Sequence, residues 1–422
     1  MTKLWQKSGS KLHPLVEAYT VGDDWKLDEV LIPYDIQASL AHAQMLAKIG
    51  ILSKKELSQL SGALKELLLL AEKGKLPITV QDEDCHTVIE NMLVKKVGAA
   101  GKKIHTGRSR NDQVLVALRL FMKDNLKNVQ QGVSALSKTF LAKAKKHKNT
   151  PFPGYSHTQQ AMLSSLGLYF GAFHEALGDD AALLKLINVH IDQNPLGSAA
   201  GYGVALPLDR KMTTQLLGFK KVQNNAMYCQ NSRGKFESLV VEGLVQVMLT
   251  LSRFASDMLF FTSRECGYFS LSDAVVTGSS IMPQKRNADP LEILRGKTSV
   301  LISHQSLIQN LISGLLSGYH RDLQLLKKPL IESFSIVEQS IEVISIVLAQ
   351  CEPNEKIITS KIAPDIFAAD IANELVQKEG MAFRDAYNIA MEKVKTHKLD
   401  FAANIKSKIS PGAPGNLALG SF

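Results

Sequence analysis

The sequence predicts an all-α fold built around a bundle of long helices. Apolar residues recur at spacings of three and four along most of the 422 residues, and the alternating runs that predict strands are scarce. Several of these helical patterns exceed the roughly 8–20 residues of an ordinary globular helix. No proline lies between Pro207 and Pro283 to interrupt them. Because a chain of this length outgrows one simple core, we expect more than one domain.

Three mostly helical domains are predicted from the places where the pattern changes. Residues 1–107 carry short helical patterns separated by turns, and residues 108–352 carry the long ones. Residues 353–422 return to short patterns and end in a tail rich in proline and glycine at 410–415. We therefore predict an N-terminal helical domain, a central long-helix bundle domain and a small C-terminal helical domain.

The short helices of the first domain have recognisable ends. A pattern over 35–50 ends on a glycine, and the next helix opens with Ser53 and, three residues later, Glu56, which together form a capping box. That helix is predicted to end at Gly74. A further short helix is predicted over 87–97 and stops at the following glycine.

Five long helices are predicted in the central domain. The first is about 38 residues long, or about 57 Å at ~1.5 Å per residue. It begins at Ser109, which can cap the helix, with Asp112 three residues later able to hydrogen-bond back to the capping residue. It ends before Pro151. The other patterns cover residues 159–191, 236–261, 291–315 and 330–348. Such long helices leave apolar faces uncovered, so we expect assembly with other copies of the chain; one large monomeric bundle is the alternative.

The composition is that of an ordinary globular protein with a modest positive charge. Hydrophobic residues make up 45% of the chain and charged residues 21%, and the net charge is +9. The lysine run at 143–148 fits a solvated helix C-terminus. We find no arginine-rich arm and no recognised nucleic-acid-binding motif, so nucleic acid is not favoured as a partner. A net positive charge does suit an anionic metabolite.

Cysteine usage and hydropathy indicate a cytoplasmic protein. The four cysteines are far apart and form no CxxC pair, as is typical of reduced thiols in a cytosol. We identify neither a signal peptide nor an uninterrupted apolar run of about 18 residues, so we expect no membrane-spanning helix.

The common metal and nucleotide motifs are missing from the sequence. The eleven histidines and four cysteines show no HxxxH, HxH or CxxC spacing, so we expect no dedicated metal site. The glycine-rich run at 197–203 is neither a Walker loop nor a dinucleotide fingerprint, and we interpret it as a backbone turn. No GxSxG elbow supports a serine hydrolase.

The most informative segment is the loop GSSIMPQKRN at 278–287, which lies between two long helical patterns. Its glycine and proline exclude a helix interior. Two serines, two cations and an amide on a bendable backbone supply several hydrogen-bond donors to an anion. We predict that this loop closes over a small polycarboxylate and supplies the base that breaks a C–H bond.

Four other polar clusters lie at the ends of predicted helices, where functional residues concentrate. The run HTGRSRNDQ at 105–113 puts Arg108 and Arg110 at a helix N-terminus, which favours an anion site over a capped helix start with solvated arginines. The run GYSHTQ at 154–159 places His157 just before a helix among hydroxyls and amides, although a lone histidine is more often structural.

The other two clusters are weaker on their own. The acids beside His86, at 82–86, either raise its pKa or lie in solvent, and the second interpretation is favoured. The run at 319–327 either presents Tyr319, Gln324 and Lys327 to one ligand or is a polar turn.

Together these clusters resemble one family. The loop at 278–287 resembles the signature loop of the fumarase/aspartase superfamily, and the runs at 105–113, 154–157 and 321–324 are similar to those of argininosuccinate lyases. The resemblance spans about residues 4–420. The family implies a homotetramer whose long helices form a twenty-helix core and whose active sites are each built from three subunits. It also implies reversible β-elimination of argininosuccinate to fumarate and arginine, without metal or organic cofactor.

The resemblance assigns roles to individual residues. Three are implied to be catalytic: Ser279 as the base, His157 and Lys285. Eight are implied to bind substrate: His86, Arg110, Asn111, Ser156, Asn287, Tyr319, Gln324 and Lys327. Elimination passes through an aci-carboxylate carbanion, which Lys285 and Asn287 can stabilise, and Ser279 needs an activating environment. Whether His157 accepts, donates or orients a proton is left open.

The sequence departs from the family in several places. Ser156 and Ala288 stand where a threonine and a proline are usual. The stretch at 231–236 keeps Arg233 but lacks the family's acids, so we give Arg233 no role. No serine stands at 20–28 to match the family's N-terminal substrate serine.

Two other functions stay open at this point. Another lyase of the superfamily, such as adenylosuccinate lyase, aspartase or fumarase, would share the signature loop, although a nucleotide substrate would need a larger pocket. A non-enzymatic, crystallin-like relative would be expected to lack Ser279, His157 or Lys285, and all three are present.

Overall fold

The computed structural model describes residues 12–420, and helices dominate it. The helices of the first half are α1 (Pro14–Val21), α2 (Asp24–Leu27), α3 (Ile32–Lys48), α4 (Lys54–Glu72), α5 (Cys85–Val97), α6 (Ala99–Lys103), α7 (Arg110–Lys146), α8 (Leu166–Ile191) and α9 (Arg210–Leu216). Those of the second half are α10 (Ala226–Asn231), α11 (Lys235–Phe261), α12 (Asp289–Ile312), α13 (Lys327–Ala349), α14 (Glu355–Ser360), α15 (Ala368–Glu379), α16 (Phe383–Lys393) and α17 (Phe401–Ser407). The predicted all-α class is confirmed.

Strands are short and few in the described part of the chain. They are β1 (Pro151–Ser156), β2 (Gln159–Ser165), β3 (Gln193–Asn194), β4 (Lys221–Val222), β5 (Phe269–Leu271) and β6 (Cys351–Pro353). β1 pairs with β2 and β5 with β6 in antiparallel fashion, and β3 pairs with β4 in parallel.

The chain divides into two compact units, each assembled from three segments. The first unit consists of residues up to Val129 together with Leu183–Val245 and Leu301–Ser335. The second consists of Gln130–Ala182, Gln246–Val300 and the residues from Ile336 onward. The three consecutive domains inferred from the sequence stay a prediction.

Four of the five long helices follow the sequence patterns closely. The helix α7 is 37 residues long, and α11, α12 and α13 begin within a few residues of their predicted starts. Their buried faces carry the apolar ladders, for example Val240, Leu244 and Leu251 of α11, which are at most 1% exposed.

The stretch Ala226–Phe261 is also long and apolar enough to cross a membrane, but 56% of its most apolar window is buried inside the structure, and core helices of soluble proteins have the same composition.

The start predicted for the second long helix is wrong. Residues 159–165 form β2, which pairs with β1 in a hairpin, and α8 begins only at Leu166. The two residues between the strands, His157 and Thr158, have φ angles of 52° and 60°, which is the left-handed geometry of a type I′ turn. The hairpin was missed because neither turn residue is the glycine or asparagine that usually marks such a turn. His157 therefore lies on a hairpin tip and not at a helix start.

Packing in the second unit fixes this hairpin. The ring of Phe152 in β1 meets that of Phe261 edge to face, with centroids 5.0 Å apart. The hydroxyls of Tyr155 and Tyr268 share a hydrogen bond of 2.8 Å. Gln160 in β2 donates to the carbonyl of Lys361 at 2.7 Å. Because the hairpin stem is anchored on both strands, its tip is held in one place.

Side-chain caps fix the helix ends as the sequence predicts. The capping box is confirmed: Glu56 N–H donates to Ser53 Oγ at 3.2 Å, and Ser53 N–H donates to Glu56 Oε2 at 2.8 Å. At the start of α7, Ser109 N–H donates to Asp112 Oδ1 at 2.9 Å. The other oxygen of Asp112 accepts two backbone N–H groups from the glycine-rich turn at 197–203. That turn is thus a structural support for the start of α7.

A buried arginine ties three parts of the first unit together. Arg119 in α7 is 1% exposed and donates to the carbonyls of Ile191 and Gln193, at 3.1 and 2.9 Å. It also donates to Ser232 Oγ at 3.4 Å and stacks on the ring of Phe236 at 4.3 Å. The first turns of α7 are therefore held against the end of α8 and the start of α11.

The hairpin tip generates a stability prediction. Thr158→Gly should raise the free energy of unfolding by roughly 0.5–1 kcal/mol, because glycine removes the clash of a β-branched side chain at positive φ. Thr139→Gly, the same change inside α7, should lower it by roughly 0.3 kcal/mol, because glycine is a poorer helix former than threonine. Urea denaturation measures both changes. Equal destabilisation by the two substitutions would contradict the turn geometry.

Candidate active site

A polar pocket of about 210 Å³ opens in the first unit at the N-terminal end of α7. Five of the eight predicted substrate-binding residues line it: Arg110, Asn111, Tyr319, Gln324 and Lys327. The clusters at 105–113 and 319–327, which are distant in sequence, therefore meet around one cavity.

Arg110 begins α7 and turns its guanidinium toward α5. Its Nη2 donates to Thr87 Oγ1 at 3.2 Å and lies 3.6 Å from a carboxylate oxygen of Glu90. Its Nε lies 3.7 Å from Asp84, the residue that caps α5. Burial alone would raise the pKa of Asp84, but the charges of Arg110 and His86 hold it below its ordinary value. The guanidinium side chain remains 30% exposed and is thus available to an anion.

Lys327 is enclosed between two carboxylates. Its Nζ lies 2.8 Å from Asp24 Oδ2 and 2.6 Å from Asp28 Oδ1, and its side chain is 2% exposed. Burial opposes the charged ammonium, yet the two carboxylates raise the pKa of Lys327 well above its ordinary value. Burial raises the pKa of Asp24, and Lys327 opposes that rise. Two of the three donors of Lys327 are therefore committed to the protein.

The neighbours of Lys327 hold the same N-terminal segment. Gln324 Nε2 donates to the carbonyls of Thr20 and Val21 at 3.2 and 3.1 Å. Arg321 Nη2 donates to the carbonyl of Thr20 at 2.9 Å and lies 3.1 Å from Glu83. Three side chains spaced by three residues along Arg321–Leu326 and the start of α13 thus clamp the segment at 20–28.

The pocket also contains residues that were assigned no role in the sequence analysis. Arg233 lines it, is 4% exposed, stacks on the ring of Tyr319 at 5.6 Å and donates to the carbonyl of Leu323 at 3.1 Å. Asp24 lines it as well. The signal for Arg233 was its match to the family stretch at 231–236. Nothing in the spacing of residues 20–28 distinguishes Asp24 from its acidic neighbours.

His86 is buried and does not line the pocket. It is 1% exposed, and its Nδ1 lies 3.0 Å from Asp35 Oδ2. Burial would lower the pKa of His86, but Asp35 and the nearby acids raise it. The favoured interpretation of this cluster, acids lying in solvent, is wrong for Asp84, whose side chain is largely buried and whose charge helps to raise the pKa of His86. The residue that faces His86 most closely comes from α3. The substrate-binding role implied for His86 stays a prediction.

The two arginines of the run at 105–113 have different surroundings. Arg108 is 8% exposed, donates to Ser39 Oγ at 2.9 Å and does not line the pocket, unlike Arg110. His105 does line it, and burial together with Arg108 and Arg110 lowers its pKa to about 4. At neutral pH, His105 is therefore an uncharged wall of the pocket.

The signature loop at 278–287 belongs to the second unit, and hydrogen bonds hold its two ends together. The backbones of Thr277 and Asn287 exchange two hydrogen bonds of 2.9 Å, which close the loop into a narrow neck. Thr277 Oγ1 also donates to Asp289 Oδ2 at 2.5 Å. Arg286 pairs with Asp273 and donates to the carbonyl of Leu271 at 2.8 Å. The loop is confirmed to lie outside the helices, between β5 and α12.

Ser279 and Lys285 are presented differently within this loop. Ser279 Oγ accepts hydrogen bonds from the backbone N–H groups of Met282 and Ile281, at 3.1 and 3.4 Å. Among the described residues, no group bonds the ammonium of Lys285. Lys285 and Asn287 also line a second cavity of about 740 Å³ within the same unit. N–H donors on the oxygen stabilise a developing alkoxide, and an unpaired ammonium is available to a carboxylate.

Ser156 and His157 sit together at the tip of the β1–β2 hairpin, where both are exposed. Apart from the buried His86, the predicted residues thus form three groups: five around the first-unit pocket, two on the hairpin and three in the loop. Within each group, the described structure places the residues close to one another.

One group of potential metal ligands exists in the described residues. Single donor atoms of Asp28, Cys85 and His86 lie within 4.8 Å of one another, and all three residues are buried. However, Asp28 already faces the Lys327 ammonium at 2.6 Å and accepts the Cys85 backbone N–H at 3.1 Å. A cation there would be repelled by Lys327, so we interpret the group as part of the buried ion network.

Comparisons with known proteins agree on one family. A family model described as a lyase matches residues 13–302. The argininosuccinate lyase of Thermotoga neapolitana is 46% identical over 396 residues, which cover 94% of this chain and 99% of that protein. That of Sorangium cellulosum is 41% identical over 418 residues, covering 99% and 96%. That of Bacteroides fragilis is 41% identical over 385 residues, covering 91% and 86%.

Solved structures share the fold at low sequence identity. EDDS lyase in complex with formate superposes with a TM-score of 0.77 at 22% identity, covering 97% of this chain and 88% of that one. The native form of a fumarate lyase:delta crystallin from Brucella melitensis has a TM-score of 0.75 at 19% identity and covers 98% of both chains.

The buried His86–Asp35 pair predicts how stability depends on pH. The folded pKa of His86 is raised above 6.5, so its contribution is complete below pH 6.5 and is lost as the pH rises through the folded pKa. The difference in free energy of unfolding between the wild-type protein and His86→Gln should therefore shrink as the pH rises above 6.5 through the folded pKa of His86. The total free energy does not isolate this pair, because burial lowers the pKa of other histidines, such as His42 and His105, which act in the opposite direction. Urea denaturation at several pH values measures this difference.

The difference shrinks because His86→Gln lacks the group that binds the extra proton in the folded state. His105→Gln is the matched control: the pKa of His105 is lowered to about 4, so the difference between the wild-type protein and this variant should not shrink above pH 6.5. A wild-type advantage over His86→Gln that stays constant or grows across this range would contradict the assignment.

Proposed function

The chain belongs to the argininosuccinate lyase family, and from that premise we propose how its residues carry out the reaction. It is a fumarate-releasing lyase that cleaves argininosuccinate reversibly into fumarate and arginine, a step of arginine biosynthesis. The observation that carries this conclusion is 41–46% identity to argininosuccinate lyases over 91–99% of the chain.

The reaction is a β-elimination whose difficult step is the loss of a carbon-bound proton. A base removes a proton from the succinyl CH₂ group, and the C–H electron pair is delocalised into the adjacent carboxylate as an aci-carboxylate. That pair then forms the C=C bond of fumarate while the C–N bond to the guanidino group breaks. The nitrogen takes up a proton and leaves as arginine. Fixed donors aimed at the aci-carboxylate lower the barrier.

We assign the base to Ser279 and the neutralising cation to Lys285. A serine hydroxyl is a weak base unless its alkoxide is stabilised, and the N–H groups of Ile281 and Met282 on its Oγ support that stabilisation. The unpaired ammonium of Lys285 suits the developing dianion, with Asn287 as a further donor. His157, exposed on its hairpin tip, handles the proton that the leaving nitrogen takes up.

We assign the first-unit pocket to the remainder of the substrate. Argininosuccinate has three carboxylates, a guanidinium and an α-ammonium at neutral pH, so it needs cationic and anionic partners. Arg110 offers a partly exposed guanidinium, while Asn111, Tyr319 and Gln324 offer neutral polar groups. Ser156 keeps the hydroxyl that the family's threonine provides. No metal or organic cofactor enters this scheme.

We infer that the active form is a homotetramer in the cytoplasm, with each site built from several subunits. Apolar side chains on the long helices are 43–67% exposed and support burial against other copies: Leu186, Leu249, Ile293, Val300 and Ile346. The pocket of about 210 Å³ is also smaller than the roughly 300–1,000 Å³ of a complete ligand site, so other segments must complete it.

A panel of substrates tests the function directly. The purified protein should release fumarate, followed by its ultraviolet absorbance, from argininosuccinate. Adenylosuccinate, aspartate and malate should give far lower rates. Faster turnover of one of these would assign a different superfamily lyase, and no turnover of any would favour a non-enzymatic, crystallin-like role.

The catalytic assignments predict two inactive variants. Ser279→Ala and His157→Ala should each lower kcat by about 10²–10⁴-fold, because each loses a proton-transfer group. Native mass should stay near four times the 46.3 kDa of one chain. Ser407→Ala and His13→Ala, both on the exposed surface, are controls that should keep full activity. Near-wild-type rates in either test variant would refute that residue's role.

Shared sites predict complementation between inactive subunits. Arg110→Ala removes a pocket residue and Ser279→Ala removes the base, so a co-refolded mixture should contain some intact sites and regain activity. The measurement is the rate of the mixture against each variant alone. Inactivity of mixtures whose mixed assembly is verified by native mass would mean that each site comes from one chain.

A further inference from the structure

One pocket acid keeps an oxygen without a hydrogen-bond partner. Asp24 is 9% exposed and lines the first-unit pocket. Its Oδ2 faces the Lys327 ammonium at 2.8 Å, but its buried Oδ1 has no hydrogen-bond partner among the described residues. A buried carboxylate oxygen that is left unpaired carries a desolvation cost that a ligand donor would relieve.

The charges around Asp24 do not cancel. Glu83 and Asp84 each face an arginine, Arg321 at 3.1 Å and Arg110 at 3.7 Å. Asp24 instead shares the single ammonium of Lys327 with Asp28. This buried group of two carboxylates and one ammonium therefore carries a formal charge of −1 beside the pocket. A negative charge at a largely desolvated site favours a cationic ligand group.

The pocket cation that remains does not neutralise this charge by contact. Arg233 also lines the pocket, but its contacts are the carbonyl of Leu323 and the ring of Tyr319. Its charge favours the ionised Asp24 carboxylate less than that of Lys327 does.

The segment that carries Asp24 is built to hold it in place. Gln324 fixes the carbonyls of Thr20 and Val21, and Lys327 fixes Asp24 itself. Gln324 and Lys327, which also line the pocket, thus use these side-chain donors to hold the protein segment. They position the wall of the pocket, and the acid on that wall is left to meet the ligand.

We propose that Asp24 is the specificity-determining residue that binds the α-ammonium group of the substrate's arginine part, and that Lys327 and Gln324 act as positioning residues for it. This inference rests on the proposed function, since it assumes that the pocket receives argininosuccinate. The segment at 20–28 contains no serine, although the family resemblance leads one to expect a substrate-binding serine there.

The reverse reaction isolates the contact, because arginine can be varied while fumarate is kept constant. 5-Guanidinopentanoate lacks the α-ammonium but keeps the carboxylate, whereas agmatine keeps the amine but lacks the carboxylate. The wild-type protein should use arginine about 10- to 100-fold better than 5-guanidinopentanoate, as kcat/KM, the range expected for a hydrogen bond to a charged group. The loss should appear mainly in KM.

Asp24→Asn keeps the size of the side chain and an oxygen for Lys327 but removes the charge. It should lower kcat/KM for arginine and agmatine by about 10- to 100-fold and leave that for 5-guanidinopentanoate within about 3-fold. Asp23→Asn is the matched control, because Asp23 is 61% exposed and pairs with the exposed Lys26. It should change none of the three rates.

Each result has one meaning. Equal losses for all three compounds would show a structural role for Asp24 and overturn the proposal. If Asp24→Asn does not fold, the wild-type comparison decides, and equal use of arginine and 5-guanidinopentanoate overturns it. Failure of the proposed function is distinct, since the wild-type protein would then release no fumarate from argininosuccinate.

Discussion

The enclosed ammonium of Lys327 is the interaction on which the rest of the first-unit pocket depends. It lies 2.8 and 2.6 Å from two carboxylates and is almost completely removed from water. Removing one partner from such a buried group costs about 3–5 kcal/mol, because the other charge is left uncompensated. Asp28 extends the group further, since its second oxygen accepts the N–H of Cys85, the first residue of α5. One buried ion group therefore joins the N-terminal segment, α5 and α13.

Acidic side chains also join the other helix ends around the pocket. Asp84 caps α5 and faces Arg110, which begins α7, while Asp112 joins the first turn of α7 to the turn at 197–203. Helix termini have unsatisfied backbone groups that side chains must fill, so polar residues collect there. Convergence of several termini thus yields a pocket rich in charge without placing charges inside the helices. In the proposed mechanism this pocket binds the arginine part, and the loop at 278–287 performs the chemistry.

The sequence predicted what depends on local pattern and missed what depends on pairing across the chain. The long helices were found because a period near 3.6 persists over many turns, as in α7 and α11. The β1–β2 hairpin was missed because its turn, His157 and Thr158, adopts left-handed geometry without glycine or asparagine. Residue types identified the clusters at 105–113 and 319–327. Their meeting, and the part played by Asp24, depend on contacts between segments about 300 residues apart.

The most direct test of this account is a crystal structure of the protein with arginine bound. The account predicts that the α-ammonium of arginine lies about 3 Å from Asp24, with Lys327 still between Asp24 and Asp28. Arginine bound in the pocket with its α-ammonium away from Asp24, or with the Lys327 pairing broken, would contradict it.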